Sequence, residues 1–310
     1  MKNEEDGVPS LFARLLPIMD GLNRSYEIIC VNDGSTDNTV PALIGLQRAH
    51  PQIVVVDLSR NFGKEAALTA GIAQARGSAV IPIDADLQDP PELIPEMITK
   101  WDAGAEVVLA VRSKRTTDTP FKRWTAQNFY QIINWLSEVH IPENAGDFRL
   151  MSRPVVDALL RLPERTRFNK GLFAWLGFSA VTIDYERPER QIGHTKWAYK
   201  KLWTFAIDGV TAFSSLPIRI WTYIGLSFAL VAVLYGLYMA TRALLGLADV
   251  PGYSSLMVAI LFSAGAILTG LGVIGEYISR IYVEVKQRPL YIVRGIITLA
   301  GESTRDLHES

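Results

Sequence analysis

Residues 79–92 read AVIPIDADLQDPPE, and the fold follows from this stretch. Ala79–Ile83 is a short run of the kind that forms a buried strand. It stops on an acidic turn, and a helical pattern then runs from Pro91 to Trp101. The same alternation extends to both sides. Tyr26–Val31 (YEIICV), Ile53–Asp57 (IVVVD) and Glu106–Ala110 (EVVLA) read as further strands, and Thr36–Ala49 and Lys64–Ala75 read as helices. Strands alternating with helices predict an α/β domain with a mainly parallel sheet. Its binding edge then lies at the carboxyl ends of the strands.

The acids after Ile83 can be sorted by what a helix start needs. Asp89 fits an N-cap, Pro90 the first helical position, and Glu92 the matching place in a capping box. Asp84 and Asp86 have no such local task. Two carboxylates one residue apart repel each other unless they share a cation, and hard oxygen donors point to Mg²⁺ or Mn²⁺. After Val31 comes Asn32-Asp33-Gly34-Ser35-Thr36, ordinary turn chemistry in which Ser35 or Thr36 can cap the next helix. Arg60, Asn61 and Lys64 precede or open a helix, where cations and backbone amides suit phosphate. Arg112, Lys114 and Arg115 follow a strand end and can grip an anion or stand in a solvated loop.

Composition bounds the rest. The 310 residues carry 31 Lys+Arg and 32 Asp+Glu, so no basic field for nucleic acid exists. Hydrophobic residues at 49% exclude a disordered chain, and one cysteine, Cys30, excludes an internal disulfide. The mean hydropathy of +0.16 is high for a soluble enzyme and suggests two unlike parts. Ile220–Met239 and Tyr253–Gly275 contain no charge, and each reaches the roughly 20 helical residues that cross a bilayer. Cations gather outside this pair (Lys196, Lys200, Lys201 and Arg219 before it, Arg280, Lys286, Arg288 and Arg294 after it), which predicts that both flanks face the cytoplasm. Aromatics beside cations predict membrane-surface helices near residues 120–137 and 195–215. Gly270-Leu271-Gly272-Val273-Ile274-Gly275 spells G-x-G-x-x-G, but inside an apolar helix it reads as close helix packing, not as a dinucleotide loop.

VNDGSTDNT, LSRNFGKEAALTAG, DADLQDPPE, GDFRL and GEYISRIYVEVKQRPLYIV together resemble a family-2 glycosyltransferase of GT-A (Rossmann-like) fold. The likeness is to the polyisoprenyl-phosphate group, which includes bactoprenol glucosyltransferases and dolichol-phosphate mannosyltransferases, and it runs over nearly the whole chain. It implies a GT-A domain over residues 1–210, a two-helix transmembrane hairpin over 218–280 and a cytoplasmic tail over 281–310. It further implies inverting transfer of a hexose from a nucleotide sugar, UDP-glucose by nearest likeness, to undecaprenyl phosphate at the cytoplasmic face of a bacterial inner membrane. By similarity Asp84, Asp86 and Gln88 hold the metal. Asp33, Asn61, Lys64 and Asp84 face the nucleotide sugar, and Asp147 takes the position of the catalytic base. Arg112, Arg115, Arg149 and Lys196 are the candidates for the lipid phosphate, with pairing to Asp147 the other reading of Arg149. Related enzymes often assemble through their C-terminal tails, so a homo-oligomer belongs to the same expectation.

Two rival readings share part of this pattern. A processive polysaccharide synthase usually carries Gln-x-x-Arg-Trp, whereas Pro120 precedes Arg123-Trp124 at that spacing. A non-enzymatic lipid-phosphate carrier has no need for Asp84, Asp86 and Gln88 together. At the other end, Lys2-Asn3-Glu4-Glu5 matches a family turn that normally follows an apolar strand, and that strand is not in the sequence. The expectation is a late start, or a truncation that weakens nucleotide binding.

Overall fold

The computed structural model describes residues 1–112, 145–165, 167, 169–185, 216–245, 252–298 and 301–303. In chain order the elements are α1 (Gly7–Gly21), β1 (Ile28–Asn32), α2 (Thr39–Ala49), β2 (Ile53–Leu58), α3 (Lys64–Gln74), β3 (Ala79–Val80) and α4 (Ile94–Asp102). Then come β4 (Val107–Arg112), β5 (Ala145–Ser152), α5 (Arg153–Leu160), α6 (Asn169–Trp175) and β6 (Ala180–Tyr185). Two long helices follow, α7 (Leu216–Leu244) and α8 (Tyr253–Val285), and then β7 (Val293–Thr298) and β8 (Gly301–Ser303).

The strands form two four-stranded sheets, in the orders β1-β2-β7-β8 and β3-β5-β4-β6. The pairing is mixed, which corrects the expectation of a mainly parallel sheet. β1 with β2 and β4 with β6 are parallel; β7 runs antiparallel to β2 and β8, and β5 antiparallel to β3 and β4. The alternating pattern read from the sequence covers the parallel partners, which need a crossover between them. β7 instead returns to the domain after α8, and β5 re-enters beside the strand that precedes it.

Each helix beside the sheets buries one stripe. Val8, Leu11, Phe12, Leu15 and Leu16 of α1 recur at helical spacing and are all buried. Leu15 joins Ile94, Met97, Val108, Phe148 and Ile183 in one core; Val155, Val156 and Leu159 of α5 pack with Leu109 and Met151 in another. Full burial of side chains of this size is worth roughly 1.5–3 kcal/mol each. Asn3, Glu4 and Glu5 bind the turn after β1: their backbone N–H groups donate to Ser35 Oγ, Thr39 Oγ1 and Asp37 Oδ2. α2 begins at Thr39, and Asp37 rather than Ser35 or Thr36 accepts the Thr39 N–H, at 3.1 Å.

The expected tail is part of the fold. Ile297, Ile296 and Gly295 pair with Val55, Val56 and Asp57, and Gln47 Nε2 donates to both Ile53 O and Ile297 O, at 2.8 and 2.7 Å. α7 and α8 are both long and apolar enough to cross a membrane, over Ile218–Met239 and Leu256–Val285. They run antiparallel, with Trp221 against Gly270 and the Phe228 and Phe262 rings 5.5 Å apart. A Cβ on Gly270 would collide with the Trp221 indole, so the first glycine of the G-x-G-x-x-G run serves helix packing. The expected surface helices near 120–137 and 195–215, with Arg115 and Lys196, lie outside the described residues, as does the Arg112 side chain.

Candidate active site

Three loops meet at the carboxyl ends of β1, β2 and β3. The loop after β1 is fixed first: Asn32 Nδ2 donates to Asp57 Oδ1 at 2.6 Å, and the Asn32 amide oxygen accepts the Ser35 N–H. Gly34 has φ +65, and a Cβ there would stand 2.5 Å from the Asn61 nitrogen, so this turn and the loop after β2 are pressed together. Asp33 completes the join. Its two oxygens accept the Phe62 and Gly63 N–H groups at 2.7 and 3.0 Å, and the residue is 5% exposed. Each oxygen accepts one N–H and keeps further acceptor capacity, so these bonds leave the expected contact with the nucleotide open to it. The carboxylate also shapes the loop that carries Asn61 and Lys64.

The acidic turn after β3 is tightly wound. Leu87 takes φ +60, a left-handed conformation costing on the order of 1–2 kcal/mol, and its side chain is buried. This lets Asp86 Oδ1 accept the Gln88 N–H at 3.2 Å. Asp89 is not an N-cap: it accepts the Asp84 N–H and the Tyr185 hydroxyl, while Pro90 precedes a 3₁₀ turn at Pro91–Leu93. Glu92 likewise forms no capping box, because Arg14 takes both its oxygens at 3.0 and 2.8 Å. Tertiary partners have won over local capping in both cases.

The remaining acid comes from a bulge. Val111 pairs with Ala145 and Leu109 with Arg149, so residues 146–148 of β5 face a single residue of β4. Such a bulge bends the strand and redirects its side chains. Asp147, in the middle of it, reaches the start of α3, where Lys64 Nζ lies 2.8 Å from Asp147 Oδ2 and 2.6 Å from Asp84 Oδ2. Burial acts to lower the Lys64 pKa, but the charges of Asp84 and Asp147 outweigh it and hold the ammonium above its ordinary value. One cation thus joins carboxylates from two different sheet strands' ends. Asn61 stands exposed just before this helix, with Arg60 stacked on Phe62 at 4.0 Å.

Arg149 lies inside the domain. It is 5% exposed, donates to Gly146 O at 2.6 Å, and stacks on the Phe173 ring at 4.0 Å. Burial pulls its pKa down to about 10, against the opposing charge of Asp147. In this position the guanidinium braces the bulge from within. Spacing in the sequence gave no sign of the Lys64 bridge or of the contact that Asn169 makes with Glu65 on the next residue of α3.

The comparisons with known proteins agree with this arrangement. The glycosyl transferase family 2 profile matches residues 1–160, and the GtrB C-terminal hairpin profile matches residues 216–281. An uncharacterised glycosyltransferase of Synechocystis sp. is 54% identical, over 94% of this chain and 92% of its own length. The SfII prophage-derived bactoprenol glucosyl transferase of Shigella flexneri is 48% identical over 94% of both chains. The prophage bactoprenol glucosyl transferase homolog of Escherichia coli K12 is 47% identical, over 95% of this chain and 96% of its own. With the strand-end acids, the mixed α/β sheets and the apolar helix pair already in place, the chain belongs to glycosyl transferase family 2, as a GT-A-fold glycosyltransferase that carries a GtrB-type C-terminal hairpin.

Proposed function

We propose that the protein transfers a hexose, glucose from UDP-glucose, to undecaprenyl phosphate at the cytoplasmic face of a bacterial inner membrane, with inversion. The observation that carries this reading is the convergence of Asp84 and Asp147 on Lys64. Relatives named as bactoprenol glucosyl transferases over nearly their whole length support the choice of acceptor and sugar. A hairpin whose two ends return to one domain supports a topology with that domain and β7 on the same side of the bilayer.

In the reaction an oxygen of the lipid phosphate attacks the anomeric carbon. The bond from that carbon to the nucleotide diphosphate breaks, and the diphosphate leaves with the electron pair. A phosphate monoester has its second pKa near 6, so the nucleophile is already ionised at neutral pH and needs little help from a base. Asp147, held by its bulge and by Lys64, orients the reactants. Lys64 opens α3, where its charge and the helix amides favour the growing negative charge of the leaving group.

Asp84 and Asp86 supply carboxylates and Gln88 an amide oxygen from one wound turn, a hard donor set that fits Mg²⁺ or Mn²⁺. A cation held by these residues would supply Lewis-acid neutralisation of the charge on the departing diphosphate. Asp33, Asn61, Lys64 and Asp84 face the nucleotide sugar; Arg112, Arg115, Arg149 and Lys196 are the candidates for the acceptor phosphate, and a homo-oligomer is part of the proposal. The test is to incubate membranes containing the protein with a panel of nucleotide sugars, Mg²⁺ and polyprenyl phosphate, then identify the lipid product. A glucosylated lipid from UDP-glucose is expected. No glycolipid from any donor overturns the reading.

A further inference from the structure

Strand β7 pairs with β2 through a fault in register. Asp57 pairs with Gly295 and Leu58 with Val293, so Arg294 is the extra residue of a bulge. A bulge takes its side chain out of the regular alternation and re-aims it, and bulges are over-represented beside active sites. Here the Arg294 guanidinium reaches two partners. Its Nη1 lies 3.2 Å from Asp57 Oδ2, and its Nη2 donates to Ser59 O at 2.7 Å. The Ser59 N–H donates to Ile292 O at 2.9 Å, so residues 292–294 hold both backbone polar groups of Ser59.

Both partners lead into the site. Asp57 accepts from Asn32 Nδ2 with its other oxygen, at 2.6 Å, and the buried Asn32 amide oxygen accepts the Ser35 N–H at 3.0 Å. Ser59 opens the loop that carries Asn61 and runs to Lys64. One guanidinium therefore ties the turn after β1 and the loop after β2 to the strand that follows the apolar helices. Arginine suits this task because its planar N–H groups hold two acceptors in a fixed geometry, whereas a lysine ammonium is a point charge on a flexible stem. The Arg294 side chain is 63% exposed, and an ion pair so open to water adds little to stability. Its effect falls on where the two loops stand.

We propose that Arg294 is a positioning residue for the nucleotide-sugar site, acting through Asp57 and Ser59 on the two loops; the proposal rests on the reading of the sugar source as a nucleotide sugar. The test uses the full-length protein in phosphatidylcholine nanodiscs, with hydrogen exchange at residues 59–63 and calorimetric titration of UDP-glucose with Mg²⁺. In Arg294→Gln the loop is expected to exchange faster and UDP-glucose to bind about tenfold more weakly, the scale on which a residue touching no ligand acts through a connected network. The melting temperature is expected to stay nearly the same. Arg294→Lys keeps the charge without the planar geometry and is expected to recover little of the affinity. Gln47→Leu loosens the same strand at Ile297 and bonds neither Asp57 nor Ser59, so its affinity is expected to match the parent. Unchanged exchange in Arg294→Gln overturns the proposal, and so does faster exchange with unchanged affinity. Full recovery in Arg294→Lys, or an equal loss in Gln47→Leu, also overturns it. Failure of the unaltered protein to bind UDP-glucose overturns the choice of sugar source, and loop exchange then still decides whether Arg294 holds the loop.

Discussion

Lys64 Nζ lies 2.8 Å from Asp147 Oδ2, although one residue opens a helix after β2 and the other sits in a bulge of β5 in the second sheet. Asp84 shares the same ammonium at 2.6 Å. Lys64→Met leaves these two carboxylates facing each other without their cation. A fall in kcat of about 10²–10³-fold is expected, the usual loss for a preorganised electrostatic group. Mn²⁺ is also expected to raise the melting temperature of the variant more than that of the parent, because the divalent ion replaces the lost charge. Thermal melts with and without Mn²⁺ check this independently of turnover.

Asp147→Asn separates orientation from proton removal. If Asp147 positions the reactants, the variant is slower by about the same factor from pH 6 to pH 9. A rate that recovers as the acceptor phosphate becomes fully ionised would show that Asp147 acts as the base. The measurement is a full pH–rate profile with acceptor saturating.

Cys30 is 2% exposed in β1, and burial pushes its thiol up to about 12, against the weaker pull of the chain's amino-terminal charge. The folded thiol therefore stays protonated where the unfolded one ionises, from about pH 9. Between pH 9 and 12 the native state binds more protons than the unfolded state, so this group makes stability fall as pH rises. At pH 8.5 alkylation of Cys30 is expected only at denaturant concentrations that unfold the domain, followed by mass spectrometry.

The two glycines of the apolar helix should differ. Gly270→Leu drives a side chain into Trp221, while nothing lies within 4 Å of a Cβ at Gly272. The first change is expected to cost about 1–3 kcal/mol of hairpin packing and the second far less. Melting temperatures of both variants in the same detergent compare them.

Gln47→Leu removes the amide that bonds Ile53 O and Ile297 O. Two carbonyls then lose a buried donor, for an expected loss of about 1–3 kcal/mol, read by urea denaturation.

Much of this fold was legible because the signals were local. β1, β2, β4, α2 and α3 fall where β-branched runs and helical spacing place them. β3 was expected to reach Ile83 but ends at Val80, because β5 offers partners only to Ala79 and Val80. α1 has a clear apolar stripe that the strand pattern overshadowed. The acids of residues 84–92 were found, yet Asp89 and Glu92 were given capping roles that Tyr185 and Arg14 override from distant elements. The part Asp33 plays in joining two loops was not legible, since its partners Phe62 and Gly63 lie on another loop. Strand β7 looked like a tail because nothing near Val293 announces a partner at Leu58.

That last pairing has a temporal consequence. Strand β2 receives its second neighbour from residues made after both apolar helices. Since a chain emerges at roughly 5–20 residues per second, the first sheet waits on the order of tens of seconds after β2 is made before β7 is available. The enzyme thus completes itself only once its anchor has been synthesised, a built-in order of assembly that keeps maturation tied to the lipid surface.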